Sequence, residues 1–167
     1  DGSAGRFMDS IARAISRDAD AQALLRHPQA EVMSDLKARV NGSGKPAIKS
    51  LYWSVRCPDA AVWGGLRART LLADPTRMQW IDLSDDPSLP TLATLVPQPG
   101  RWRMLRYVPL RRATLFHQPV TGAARIVKLK RPDRAAEATG CLAAARAALG
   151  PNPGFRVPDL LMPGTEG

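Results

Sequence analysis

The chain has 167 residues, 24 Lys+Arg against 15 Asp+Glu, a formal charge of +9 and 44% hydrophobic content, which suits one ordinary domain or two small ones and excludes wholesale disorder. No apolar run approaches the ~20 residues of a membrane span, and residues 1–7 lack a basic-then-apolar leader pattern. Cys57 and Cys141 lie far apart without paired spacing, so neither a zinc site nor a disulfide framework is indicated and a reducing cytoplasm is expected.

Met8, Ile11, Ala12 and Ile15 recur at helical spacing and predict a short amphipathic helix over 7–17. A second helix is expected over 19–25, stopped by Pro28. A third is expected over 30–40, with Met33, Leu36 and Val40 on one face and Asn41-Gly42 at its end. Residues 41–46 read as a turn or flexible loop. The run 48–56 is rich in strand formers and is broken at Pro58-Asp59. Further strands are expected over 62–72, with Gly64-Gly65 as a bulge, and over 78–83. An acidic turn at 82–87 leads into an expected short helix over 88–95, and 97–100 reads as a linker.

Past that linker, strands are expected over 103–108, 113–117 and 125–130, with turns at 109–112 and 118–122. Pro132 suits a first helical turn and Asp133 complements the positive end of the helix dipole, so a helix is expected from there to 149. Its buried stripe is Ala138, Leu142, Ala145 and Leu149. A last strand is expected over 155–162. The layout predicts an α+β fold of two units, 1–98 with helices plus an antiparallel sheet, and 99–167 with an antiparallel sheet and one helix.

Charge is distributed unevenly over this layout. Residues 1–100 are close to neutral, whereas 101–134 hold Arg101, Arg103, Arg106, Arg111, Arg112, Arg125, Lys128, Lys130, Arg131 and Arg134 against Asp133 alone. Such a segment marks an anionic partner: phosphate, nucleic acid, acidic lipid or an acidic protein surface. Strand alternation over 125–130 puts Ile126, Lys128 and Lys130 on one face and Val127 and Leu129 on the other. Glu137 lies beside the buried stripe of the following helix, where it faces back toward that strand.

The stretches 105–115 (LRYVPLRRATL) and 125–139 (RIVKLKRPDRAAEAT), with 155–160 (FRVPDL) after them, resemble the aminoglycoside-phosphotransferase-like small-molecule kinases, nearest to sugar and amino-sugar kinases of the maltokinase type. The resemblance implies that 1–98 is an α+β cap and 99–167 the nucleotide-binding small lobe of an ATP-dependent phosphotransferase acting on a sugar or amino-sugar hydroxyl. By the same resemblance Lys128 grips the nucleotide phosphates, Glu137 holds Lys128 in place and Ile126 floors the adenine. The Pro109–Arg112 turn covers the phosphates with backbone N–H groups. The family's large lobe, with its catalytic-loop Asp and the Asp that holds Mg²⁺, is absent from this sequence. His27 is followed by Pro28 and His117 by Gln118-Pro119, so neither opens an H-x-D loop. The chain reads as the front part of a longer protein.

Other residues carry plainer readings. Arg111 and Arg112 fit either a solvated turn or a phosphate contact. Lys130, Arg131 and Arg134 fit solvent-facing positions. Trp53, Trp63, Trp80 and Trp102 read as core or interface, and Asp82, Asp85 and Asp86 as turn or capping residues. His27 and His117 read as structural or exposed, and both cysteines as buried thiols. The alternative to a kinase lobe is a non-catalytic basic module for nucleic acid or an acidic protein partner. Against nucleic acid, the basic stretch shows no recognition-helix or RNA-binding sheet signature. Membrane-surface binding is weaker still, since the cations fall on strands and turns.

Overall fold

The computed structural model describes residues 2–40, 46–63, 65–95 and 97–150. Two helices open the chain, α1 (Gly2–Arg17) and α2 (Ala19–Leu25). The face that α1 buries is Phe7, Ile11, Ala14 and Ile15, packed on Leu51, Leu71 and Ala73 of the first sheet. The expected stripe is thus rotated: Met8 is exposed, because the bulkier Phe7 takes the inward position. Asp18 stops α1 and starts α2, its Oδ1 accepting the Ala21 N–H at 2.8 Å.

The first sheet is an antiparallel meander of β1 (Glu31–Val40), β2 (Pro46–Cys57), β3 (Arg67–Ala73) and β4 (Met78–Asp82), in that order. The helix expected over 30–40 is therefore a strand. Val32, Ser34, Leu36 and Ala38 alternate with Asp35, Lys37 and Arg39 as readily as the apolar residues recur at helical spacing. Tertiary pairing decides the tie, since β1 pairs with β2 from Glu31↔Arg56 to Val40↔Pro46. The strand expected from 62 also changes. Residues Ala60–Trp63 form a single helical turn, α3, started by Asp59, whose Oδ1 accepts the Ala61 N–H at 3.0 Å. β3 begins only at Arg67.

α1 and α2 cover one face of this sheet, where Trp53 and Trp80 meet edge-to-face at 6.1 Å between Leu24, Val55 and Cys57. Next come a 3-10 turn (Leu83–Asp85) and α4 (Leu92–Leu95). The helix expected over 88–95 is cut to that last turn, because Pro90 disfavours helical backbone at Leu89.

The second sheet, β5 (Arg101–Val108), β6 (Arg112–Gln118) and β7 (Arg125–Lys130), is antiparallel in that order, and α5 (Pro132–Leu149) follows it. An α+β fold with two antiparallel sheets is the architecture. Its largest apolar cluster joins the two halves: Leu66, Leu83, Leu89 and Leu92 pack against Trp102, Met104, Tyr107 and Leu115. Backbone ties reinforce it, with the Met104 N–H donating to the Pro58 carbonyl at 2.7 Å.

The expected linker is pinned as well. Trp102 Nε1 donates to Gln98 O at 2.9 Å, and His117 stacks on Trp102 at 3.8 Å. Arg125 Nε donates to His117 Nδ1 at 3.2 Å, so His117 Nε2 is the donor to Pro99 O at 3.1 Å. Gly100 has φ 128°, and a Cβ there would collide with the Gln118 carbonyl oxygen.

Along α5, Ala138, Leu142 and Ala145 are half-buried as the stripe predicts, and Cys141, expected to be buried, is exposed. The side chains of Trp63 and Leu149, most of the turn at 41–46 and the strand expected over 155–162 lie outside the described residues. No helix among the described residues is long and apolar enough to cross a membrane.

Candidate anion-binding face of the second sheet

Residues directly opposite each other in an antiparallel pair point to the same face. β6 pairs Arg112 with Lys130, Thr114 with Lys128 and Phe116 with Ile126. On its other side it pairs Arg112 with Val108, Thr114 with Arg106 and Phe116 with Arg103. An irregularity between Met104 and Arg106 lets Arg103 and Arg106, three positions apart, share that face. Val127 and Leu129 turn the other way and pack on the core, as strand alternation requires.

The outward face thus consists of three rows. Arg103, Phe116 and Ile126 form one; Arg106, Thr114 and Lys128 the next; Val108, Arg112 and Lys130 the last. Rows follow one another at ~7 Å along the strands, and neighbours within a row stand ~5 Å apart. Arg103, Arg106, Arg112, Lys128 and Lys130 are all exposed, and Ile126 keeps 51% of its surface in solvent. Among the described residues, none of these five cations has an acid within ion-pair distance. Other cations nearby do: Arg101, which shares this face through its pairing with Gln118, reaches Asp59 at 3.6 Å, Arg131 reaches Asp133 at 3.0 Å and Arg134 reaches Glu137 at 2.7 Å.

The residues singled out from the sequence fall on both sides of this division. Lys128, Ile126 and Arg112 come together on the outward face. Arg111 stands at the turn, exposed, with no ion pair among the described residues. Glu137 is not brought to Lys128. It bonds instead to Arg134, its i−3 neighbour on the same helix, with both side chains largely in solvent. The expected backbone cradle in the turn is also missing. Pro109 has no N–H, the Leu110 N–H donates to Asp86 Oδ2 at 2.9 Å, and the Arg111 N–H donates to Val108 O at 3.1 Å.

Asp86 is the residue that sequence reading undervalues. It does make the expected turn, accepting the Ser88 N–H at 2.9 Å, but it is buried and also accepts the Tyr107 hydroxyl at 2.9 Å. Its bond to Leu110 fixes a non-glycine residue at φ 60°. Burial pushes the Tyr107 phenol far up and the Asp86 charge adds to that, so the phenol stays the donor. A buried Ser54–Thr70 hydroxyl pair at 2.8 Å lies on the first sheet. Only the neighbouring Asp85 and Pro87 hinted at this role in the sequence, because the partners lie 21 and 24 residues away.

At Tyr52, burial and the Asp35 charge push the phenol up while the Arg111 and Arg106 charges oppose the shift. A cleft of about 500 Å³ is walled by Pro28, Glu31, Pro58, Asp59 and Arg103. Its two carboxylates are engaged by Arg56 and Arg101. Among the described residues no cluster of three or more His, Cys, Asp or Glu is arranged to hold a metal ion. No protein-family model, curated protein or solved structure matches the chain.

Proposed function

We propose that the outward face of the second sheet binds a nucleotide, and that the chain is the cap and nucleotide-binding lobe of an ATP-dependent phosphotransferase acting on a sugar or amino-sugar hydroxyl. The supporting observation is the sequence of rows. Phe116 and Ile126 offer an apolar floor for a base, and the next two rows offer Arg106, Lys128, Arg112 and Lys130 for phosphates. Four cations that form no ion pair among the described residues repel one another, and a polyphosphate removes that repulsion. In this reading the proton-accepting Asp, the Mg²⁺ ligands and the sugar-binding groups belong to a second lobe outside this sequence. Binding of Mg-ATP to the full chain tests it by titration calorimetry. Lys128→Ala is expected to weaken binding about tenfold, the scale of one charge-assisted phosphate contact. Unchanged affinity in Lys128→Ala removes Lys128 from the site.

The same cations would also attract an extended polyanion, which is the second reading. Duplex DNA binding that tightens as salt falls, with a log–log slope of about −0.9 per phosphate, would favour it if it exceeds ATP affinity at equal salt.

A further inference from the structure

Resting on the nucleotide reading, we infer that Arg106 is a second phosphate-binding residue, forming with Lys128 and the Thr114 hydroxyl between them a clamp for the polyphosphate chain. Arg106, Thr114 and Lys128 stand in one row, on three adjacent strands and one face. Two strand spacings separate the outer pair by ~10 Å at the backbone, a gap that long Arg and Lys side chains can span over a short threonine. Among the described residues, neither cation forms an ion pair and no hydrogen bond occupies the Thr114 hydroxyl.

The need for a second cation comes from two absences in the same neighbourhood. Backbone donors usually cradle phosphates at such a turn. Here the Leu110 N–H is committed to the buried Asp86 and the Arg111 N–H to Val108. A carboxylate usually steadies a phosphate-binding lysine, and here Glu137 is committed to Arg134. The guanidinium of Arg106 supplies planar, paired donors that the turn does not offer, and it binds two oxygens of one phosphate or bridges two phosphates. It stands across the sheet from Lys128, so the ligand is held from both sides without a covering loop. The class of ligand that fits is a linear polyphosphate, with or without a nucleoside.

Titration of the full chain with inorganic tripolyphosphate, ATP and adenosine separates this inference from the reading beneath it. Arg106→Gln is expected to weaken tripolyphosphate and ATP about tenfold each and to leave adenosine unchanged. Arg106→Lys restores part of the loss. Arg101→Gln removes the same charge from the same strand, but Arg101 is already paired with Asp59, and a change below about twofold is expected there. Equal losses in Arg106→Gln and Arg101→Gln overturn the clamp, because a diffuse field then explains both. So does ATP affinity that depends on Lys128 and not on Arg106, an outcome that leaves the nucleotide reading standing. Conversely, Arg106-dependent tripolyphosphate binding with ATP no tighter than tripolyphosphate supports the clamp and removes the nucleotide reading.

Discussion

Arg69 on β3 and Lys128 on β7 are both cations on strands, yet they meet opposite surroundings. Arg69 donates to Asp18 through Nε at 3.2 Å and Nη2 at 2.8 Å, reaches Asp82 at 3.2 Å, and lies 5.2 Å from the centre of the Trp80 ring. Arg56 on β2 is similarly buried and bonds to Glu31 through Nε at 2.8 Å. Among the described residues, Lys128 and the four cations around it have no acid within ion-pair distance. An arginine with its acid beside it belongs to the scaffold. A row of cations without ion-paired acids is held at a cost in repulsion, which the proposed anion would relieve.

The largest expected effect tests the point where an acid from the first half enters the second. Asp86→Ala removes three accepted hydrogen bonds and leaves the buried Tyr107 hydroxyl without a partner, at a cost of about 3 kcal/mol. Tyr107→Phe in the same background recovers part of that, since the orphaned donor is gone. Urea denaturation of both variants measures it. A loss below about 1 kcal/mol for Asp86→Ala would show that Asp86 adds little to the apolar packing and backbone bonds that join the halves.

Smaller, and specific to the paired region, is Asp18. Asp18→Ala loses an N-cap and the main partner of Arg69 together, about 2 kcal/mol, whereas Asp18→Asn keeps most of the cap and isolates the ion pair. The Arg69 hydrogen bonds hold the Asp18 carboxyl below its usual range. Its contribution is therefore fully present above the unfolded carboxylate pKa of about 3.9 and disappears as pH falls through the lower folded value. Urea midpoints measured from pH 6 to pH 2 are expected to fall less steeply for Asp18→Asn than for the parent below pH 4. Parallel slopes would break the claim that the acid capping α2 is structural.

Much of the second sheet was legible because its signals are local. Alternation in 125–130 assigned Val127 and Leu129 to the core and Ile126, Lys128 and Lys130 to the outside, as found. The turn at 109–112 and the start of α5 at Pro132 followed from proline chemistry. What escaped depended on partners distant in sequence. Residues 31–40 satisfy helical and strand periods alike, and only pairing with β2 selects the strand. The row of Arg106, Thr114 and Lys128 depends on the irregularity at Leu105, which no spacing rule announces. The lost Lys128–Glu137 pair shows the opposite failure: Arg134, one helical turn away, was visible in the sequence and is simply the nearer cation.

The smallest expected effect has a sign that depends on whether an anion is present. Arg112 and Lys130 stand directly opposite each other, and like charges in that position are destabilising. Arg112→Thr replaces one of them with a good strand former and is expected to stabilise the chain by a few tenths of a kcal/mol at low salt. The gain should vanish near 1 M salt, where the Debye length is about 3 Å. Destabilisation at low salt would instead place Arg112 in the scaffold with Arg69. Saturating tripolyphosphate is expected to reverse the order, because a ligand that binds only the folded chain adds stability in proportion to RT ln(1 + [L]/Kd), and the parent binds it more tightly. Thermal unfolding of the two proteins, with and without tripolyphosphate, reads the crossing directly. A cation that destabilises the free chain and stabilises the bound one is the behaviour that separates the outward face of the second sheet from the paired arginines of the first.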